Sequence, residues 1–399
     1  MREPRGSMKW IRVGAGALLA IGLAAGLPSA RAAEILTPGE GMALEAHGFV
    51  GQGAIKSTGN NYLLADSKRG SLEFSEVGLN FTAQLTERLR VGMQFFARKL
   101  GAVGNFNAKT DWFYLDYRWK DWLGIRAGRV KLPFGLYNDT SDIDAARVPV
   151  LLPGSIYPVN DRDFLLAQTG FELYGYGSLG AAGALEYRLY AGTIFVQVNN
   201  VPGAPLVLQG VDVPYVAGGR LMWEAPVEGL RVGGSLQALR LDTGILVPTT
   251  GATALVRIPA LLTVGSLEYA VGDLLLAAEY SRWYVSDTSS DTTVFPNMST
   301  ITSERAYALG AYRVRRWLTP GAYYSVLFGN VDTRSGRENR LHDVAATIRF
   351  DINAHWIVKL EGHYLDGTSG LDSALNGAMP LGALTRQWFL FLLRTTAYF

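Results

Sequence analysis

The sequence predicts an all-β chain: a transmembrane antiparallel β-barrel of about sixteen strands, with one long loop folded inward. Three observations carry that reading. Apolar and polar residues alternate with period two in segment after segment. The connections between these segments are alternately short and long, as in a barrel whose turns face one side of a membrane and whose loops face the other. Between residues 126 and 164 the alternation stops altogether.

At 399 residues a globular chain would divide into two or three domains, whereas a large barrel runs as one. The 46 glycines and the 11% aromatic content favour many strands and turns over helices. Cysteine is absent, which excludes disulfide frameworks, thiolate metal sites and cysteine nucleophiles. His47, His342, His355 and His363 fit no metal-ligand spacing, and nothing in the sequence implies a cofactor.

Residues 1–32 read as an export signal that is cleaved off. Arg2, Arg5, Lys9 and Arg12 make a basic start, 13–27 is a short Gly/Ala-rich apolar stretch, and Ala30-Arg31-Ala32 supplies a cleavage site. Removing them takes away five basic residues and one acidic residue, leaving 32 against 34, so the formal charge moves from +2 to −2. The basic balance therefore belongs to the signal and makes no case for nucleic acid. Beyond it, no run of about 18 apolar residues remains for a membrane helix. Residues 33–399 are left as a β-protein of the periplasm or the outer membrane.

Taken in order, 44–55 is a glycine-rich first strand. Segment 71–85 sets Val77, Leu79 and Phe81 against Glu76, Asn80 and Thr82. Segment 89–99 sets Val91, Met93 and Phe95 against Arg90, Gln94 and Arg98, and 111–119 sets Phe113, Leu115 and Tyr117 against Asp116 and Arg118. A turn at Lys120-Asp121 leads into 122–130. After the long loop, strands are predicted near 169–179, 185–195, 215–224, 230–242, 259–270, 274–285, 304–314, 319–329, 341–351, 356–366 and 385–399.

Short connections (86–88, 120–121, 180–183, 225–229, 271–273, 315–316, 352–355) separate long ones (56–70, 100–110, 131–168, 196–214, 243–258, 286–303, 330–340, 367–384). Bulky residues restart the chain after short turns: Leu89, Trp122, Leu230, Leu274, Trp317 and Trp356. Anchoring at one membrane interface explains that placement.

The long segment contains Pro133, Pro149, Pro153 and Pro158, which oppose regular pairing. It also carries Leu136, Tyr137, Val148, Val150, Leu151, Leu152, Ile156 and Tyr157, too many apolar residues for a solvated tail. A barrel of about sixteen strands is too wide for its own side chains to fill. The segment at about 131–168 is therefore expected to fold into the lumen and narrow it.

Ala127-Gly128-Arg129-Val130-Lys131-Leu132-Pro133-Phe134-Gly135-Leu136-Tyr137-Asn138, followed by Leu151-Leu152-Pro153-Gly154-Ser155-Ile156-Tyr157, resembles the third-loop region of Gram-negative outer-membrane porins. It is most similar to the phosphate-selective porins of the O/P type and their less characterised relatives. His355-Trp356-Ile357-Val358-Lys359-Leu360-Glu361-Gly362-His363-Tyr364 is similar to the penultimate strand of that family. The closing amphipathic strand, ending at Phe399, resembles the signal by which such barrels are handed to the barrel-assembly machinery. The resemblance implies a homotrimer seated in outer-membrane lipid, with the third loop constricting each pore. It also implies that phosphate-selecting members line the lumen with many Arg and Lys. This chain departs there: beyond the signal it holds only seven Lys, and its loop leans acidic.

Strand parity places Arg90, Arg98, Asp116, Arg118, Arg126, Lys359, Glu361 and Arg394 on the pore lining. Arg188, Arg220, Arg231 and Arg349, with Glu76, Glu172, Glu186, Glu268 and Glu279, fall on the same face. Loop residues Lys131, Asp139, Asp142, Asp144, Arg147, Asp161 and Arg162 are the candidate constriction. Opposed charges across a narrow lumen set a transverse field that selects ions. Plainer readings stand beside this one. Arg–Glu pairs can satisfy each other between neighbouring strands, Asp139 and Asp142 can cap turns, and His363 beside Glu361 reads as structural.

The function this predicts is a passive, water-filled channel for small hydrophilic solutes and ions, leaning towards anions. The alternative is a barrel acting through its outer loops in adhesion or as a scaffold, with the polar 286–303 loop as surface. A barrel enzyme is not expected, because Ser281 and His363 fall on distant strands.

Overall fold

The computed structural model describes residues 33–36, 43–101, 104–196 and 206–399; the export signal expected at 1–32 lies outside them. Sixteen strands form the wall: β1 Ala43–Ser57, β2 Ser71–Gln84, β3 Leu89–Leu100, β4 Lys109–Lys120, β5 Leu123–Lys131, β6 Ala167–Ser178, β7 Ala184–Thr193 and β8 Val207–Glu224. They continue as β9 Leu230–Leu246, β10 Thr253–Val271, β11 Leu274–Val285, β12 Ile301–Tyr312, β13 Leu318–Phe328, β14 Arg340–Asn353, β15 Trp356–Gly367 and β16 Gln387–Tyr398. Each pairs antiparallel with its sequence neighbours, and β16 pairs with β1 from Leu390↔Ser57 to Tyr398↔Phe49. The sheet is closed. Two shorter segments, Ala33–Leu36 and Thr288–Ser289, pair onto β1 and β10.

Closure satisfies the backbone groups that lipid would leave unpaired. At the seam the exchange runs to the last residue, with Phe399 N donating to Gly48 O at 3.0 Å and Gly48 N to Phe399 O at 3.1 Å. Gly48 leaves room for the Phe399 ring, which a Cβ at that position would meet at 2.7 Å.

The alternation is written into exposure. Val77, Leu79, Met93, Phe95, Phe113, Leu115, Leu360, Phe389 and Phe391 are exposed on the outer face, while Gln94, Asp116, Glu172, Lys359, Glu361 and Arg394 are buried on the inner one. Trp119, Trp122, Trp223, Tyr312, Trp317 and Trp356 stand exposed beside the short turns, as an interfacial girdle requires.

Three strands run four or more residues beyond the range that the sequence predicts. β8 starts at Val207 rather than 215, β9 runs to Leu246 rather than 242, and β10 starts at Thr253 rather than 259. Pro214 sits in a bulge, where Val213 and Pro214 together oppose Leu241. Pro259 accepts Ser286 N–H on its β11 side, so its missing N–H also points there, just beyond the end of β11 at Val285. The turn into β5 is Asp121-Trp122, one residue later than predicted.

Between β5 and β6, residues 132–166 form an inner loop with only short helical turns. Its apolar residues Leu132, Phe134, Leu136, Leu152 and Ile156 pack on Val216, Leu239, Leu262, Val264, Ala277 and Leu309 of β8 to β12. On these strands much of the inner face is apolar where the loop covers it, with Glu279 and Ser266 set among these residues. A second cluster joins Val150 and Leu151 to Leu63 and Leu64 of the 58–70 loop and to Leu371, Leu384 and Trp388.

Candidate pore-constriction site

The inner loop is tied to the wall through a series of charged contacts. Lys131, at the end of β5, donates to Asp142 Oδ1 at 2.6 Å and to the Asp139 carbonyl at 2.8 Å. The second oxygen of Asp142 accepts from Gln94 Nε2 of β3 at 2.7 Å. Asp139 Oδ2 accepts from Arg188 of β7 at 2.7 Å and Arg220 of β8 at 3.0 Å. The loop's short turns at Asn138–Thr140 and Asp144–Ala146 have no side-chain caps. Asp139 and Asp142 are spent on wall cations and an amide, which replaces the reading of them as turn caps.

On the far side, Lys359 of β15 is fully buried in loop oxygens. Its Nζ lies 2.9 Å from Asp144 Oδ1, 2.7 Å from the Asp144 carbonyl, 2.8 Å from that of Arg147 and 3.3 Å from that of Pro149. Thr396 Oγ1 donates to Asp144 Oδ2 at 2.7 Å, and Arg394 Nε stands 3.4 Å from the same oxygen while its Nη2 pairs with Glu76. Arg147 donates to the Val150 carbonyl at 3.0 Å and to that of Ser141. Arg349 of β14 donates to the Ala145 carbonyl at 2.6 Å.

Two wall carboxylates hold loop amides. Glu361 accepts from Val150 N at 2.7 Å and Leu151 N at 2.9 Å, and His363 bridges Glu361 at 3.1 Å to Asp343 at 2.9 Å. Glu279 accepts Leu136 N at 2.9 Å, Ser266 Oγ at 2.6 Å, Tyr307 OH at 2.8 Å and the hydroxyl of Tyr157. Gly135 makes the second contact possible: at φ +65° it holds a left-handed turn, and a Cβ would lie 2.4 Å from the Tyr157 hydroxyl. At the loop's end Arg162 grips Asp111 of β4 with both Nη atoms, at 3.0 and 2.6 Å, and stacks 4.0 Å from the Phe96 ring centre.

The loop carboxylates are held ionised by these partners. Burial opposes the charge of Asp144, but Lys359, Arg394 and Arg147 outweigh it and keep the group below the usual carboxylate range. The same balance holds Asp139 low through Arg188 and Arg220, and Asp142 low through Lys131 and Arg162. Burial, with Glu268 and Glu279 nearby, pushes the Tyr137 phenol well up.

The sequence-predicted lining residues divide into two groups. Arg90, Asp116 and Arg126 stand together on the inner face of β3 to β5. Arg90 lies 2.9 Å and Arg126 3.1 Å from Asp116, and the row continues from Arg126 to Glu172 at 2.9 Å and from Glu172 to Arg188 at 2.6 Å. Arg126 stacks 4.2 Å from the Tyr174 ring centre. Arg118 shares this inner face half-buried, and Arg98 is buried higher on β3. By contrast Lys359, Glu361 and Arg394 lie beneath the inner loop, with at most 4% of their surface exposed. The side chain of Asp161 lies outside the described residues. Asp111, Asp343 and Thr396 also hold the site; sequence reading passed over them because strand parity alone does not tell which inward residues meet the loop.

No family model matches the chain, and no curated protein matches it. Solved structures do. Outer-membrane expressed OmpT of Vibrio cholerae is similar over 92% of this chain and 100% of its own, with a TM-score of 0.60 at 12% identity. In-vitro folded OmpT in its trimer form covers 90% of this chain and 100% of its own, with a TM-score of 0.58 at 13% identity. The anion-selective porin from Comamonas acidovorans covers the same shares, with a TM-score of 0.54 at 13% identity. By its sixteen closed strands, this chain has the fold of the outer-membrane porins.

Proposed function

We propose that the protein is a porin: a passive channel for small hydrophilic solutes and ions across a Gram-negative outer membrane, with the inner loop as its constriction. The observation that carries this reading is the inner loop itself. It is fixed to the inner wall from Gln94 on β3 to Thr396 on β16, which suits a rigid aperture rather than a mobile lid. On the β3–β5 side, Arg90 and Arg126 flank Asp116, Arg126 reaches on to Glu172, and the two guanidiniums keep 20% and 17% of their side-chain surface exposed. Those exposed guanidinium edges support a preference for anions. Export through residues 1–32, hand-over to the assembly machinery through the strand ending at Phe399, and a homotrimer complete the proposal. The trimer form of the similar OmpT supports the last of these.

Planar-bilayer recording of the refolded protein tests it. Ohmic channels with a reversal potential favouring anions in asymmetric salt are expected. A bilayer that stays silent at every protein concentration would sink the reading.

A further inference from the structure

On the outer face of β14, β15, β16, β1 and β2 the apolar band opens into a groove of about 730 Å³. Strand register explains it. Ala346, Gly362, Phe391 and Lys56 form one row across four neighbouring strands, so two of the four positions are small. The adjacent row, Ile348, Leu360, Leu393 and Ala54, supplies an apolar wall along one side. The volume lies in the range of ligand pockets.

One end of the groove is cationic. Lys56 and Arg69 line it where β1 gives way to the 58–70 loop, and Lys68 stands exposed between them in sequence. The Lys56 ammonium bends along the apolar surface to donate to the Lys68 carbonyl at 2.9 Å. No described carboxylate pairs with any of the three. Two acids towards this end of the barrel are engaged elsewhere: Glu73 lies 3.5 Å from Lys99, and Asp366 lies 2.9 Å from Arg386 and 3.6 Å from Arg340. Asp66, in the same loop, forms no ion pair among the described residues.

An apolar furrow running up to three uncompensated cations, on the face that meets lipid and at its long-loop end, matches an amphiphile with an anionic head. We propose that the groove seats a phosphorylated lipid of the outward-facing leaflet. Its acyl chain lies over Ala346, Gly362 and Ala54, and its phosphate meets Lys56, Lys68 and Arg69. The inference rests on the barrel's seating in a membrane and not on what passes through it.

The full refolded chain, in detergent, is titrated with dioleoylphosphatidic acid or with dioleoylphosphatidylcholine, and retained lipid is counted by native mass spectrometry. Preferential retention of the phosphatidic acid is expected. Lys56→Gln with Lys68→Gln and Arg69→Gln should lower that preference by about fivefold for each cation removed. Ala346→Phe should reduce retention of both lipids by filling the furrow. A cold-unheated gel shift reports whether each variant still folds. Equal retention of the two lipids, or a preference unchanged in the triple variant, overturns the proposal. So does efficient cross-linking between copies through Ala346→Cys in the otherwise cysteine-free chain, which would show a second copy covering the groove.

Discussion

Lys359 of β15 and Asp144 of the inner loop form an ion pair at 2.9 Å with almost no exposed surface on either side chain. Every other contact of the Lys359 ammonium is to a loop carbonyl, so the lysine serves the loop as a bound cation would. Removing Lys359 takes the nearest cation from a buried carboxylate and leaves only Arg394 at 3.4 Å and Arg147 at 3.7 Å to balance it. Lys359→Met is therefore expected to destabilise the folded barrel by about 3–5 kcal/mol, read as a lower midpoint in urea unfolding. Adding Asp144→Leu should recover part of that loss, because Arg394 keeps its pairing with Glu76. A double variant as unstable as the single one would show that the carbonyl contacts, and not the charge pair, dominate.

Glu361 holds two successive loop amides and His363 with one carboxylate. Glu361→Gln keeps the shape but turns one acceptor oxygen into an NH₂ group, which cannot receive an amide N–H. Faster hydrogen exchange at Val150 and Leu151 is expected, with the wall strands unaffected. Unchanged protection at both amides would mean that the apolar contacts of Val150 and Leu151 suffice.

Deleting residues 139–147 removes Asp139, Asp142 and Asp144 together with their wall contacts. If the loop narrows the channel, single-channel conductance rises. Wild-type conductance in that deletion would place the current path elsewhere.

Acid response follows from the loop carboxylates. Asp139, Asp142 and Asp144 have folded-state pKa values below their unfolded values, so their contribution is complete above the ordinary carboxylate pKa of about 4. It is lost only as pH falls through the depressed values. Protease resistance of the inner loop should accordingly stay level from neutral pH down to about 4 and fall below that. Asp144→Asn, lacking the charge at all pH values, should show the weakened loop already at neutrality. A loop released near neutral pH in the wild type would contradict this sign.

Selectivity should respond to the β3–β5 face. Arg90→Glu replaces one of the two guanidiniums that share Asp116, and the reversal potential in asymmetric potassium chloride is expected to move towards the cation side. An unmoved potential would remove Arg90 from the ion path.

The wall was legible in the sequence because period-two alternation fixes which residues share a face: once Phe113 and Leu115 face lipid, Asp116 and Arg118 face inward. The partners of the inner loop were not legible. Asp144 meets Lys359 215 residues later in the chain, a meeting set by barrel closure and not by local pattern. The apolar inner face of β8 to β12 was hidden for a different reason. Where Leu239 and Leu262 face a covered lumen while Leu236 and Leu261 face lipid, both faces are apolar and the alternation loses contrast. The same loss of contrast hides the outer ends of these strands, 207–214, 243–246 and 253–258.

The seam between β16 and β1 has a kinetic consequence. Phe389 bonds Thr58, 331 positions away, and the ladder beside it brings together almost the two extremes of the wall. Every other strand pairs with a sequence neighbour and can zip as a local hairpin, whereas this join must wait for the most distant encounter. Contacts so remote slow folding and prolong the life of an open sheet with two bare edges. The unjoined species is therefore the aggregation-prone one, and holding it apart until the seam meets is the step at which an escort has most effect.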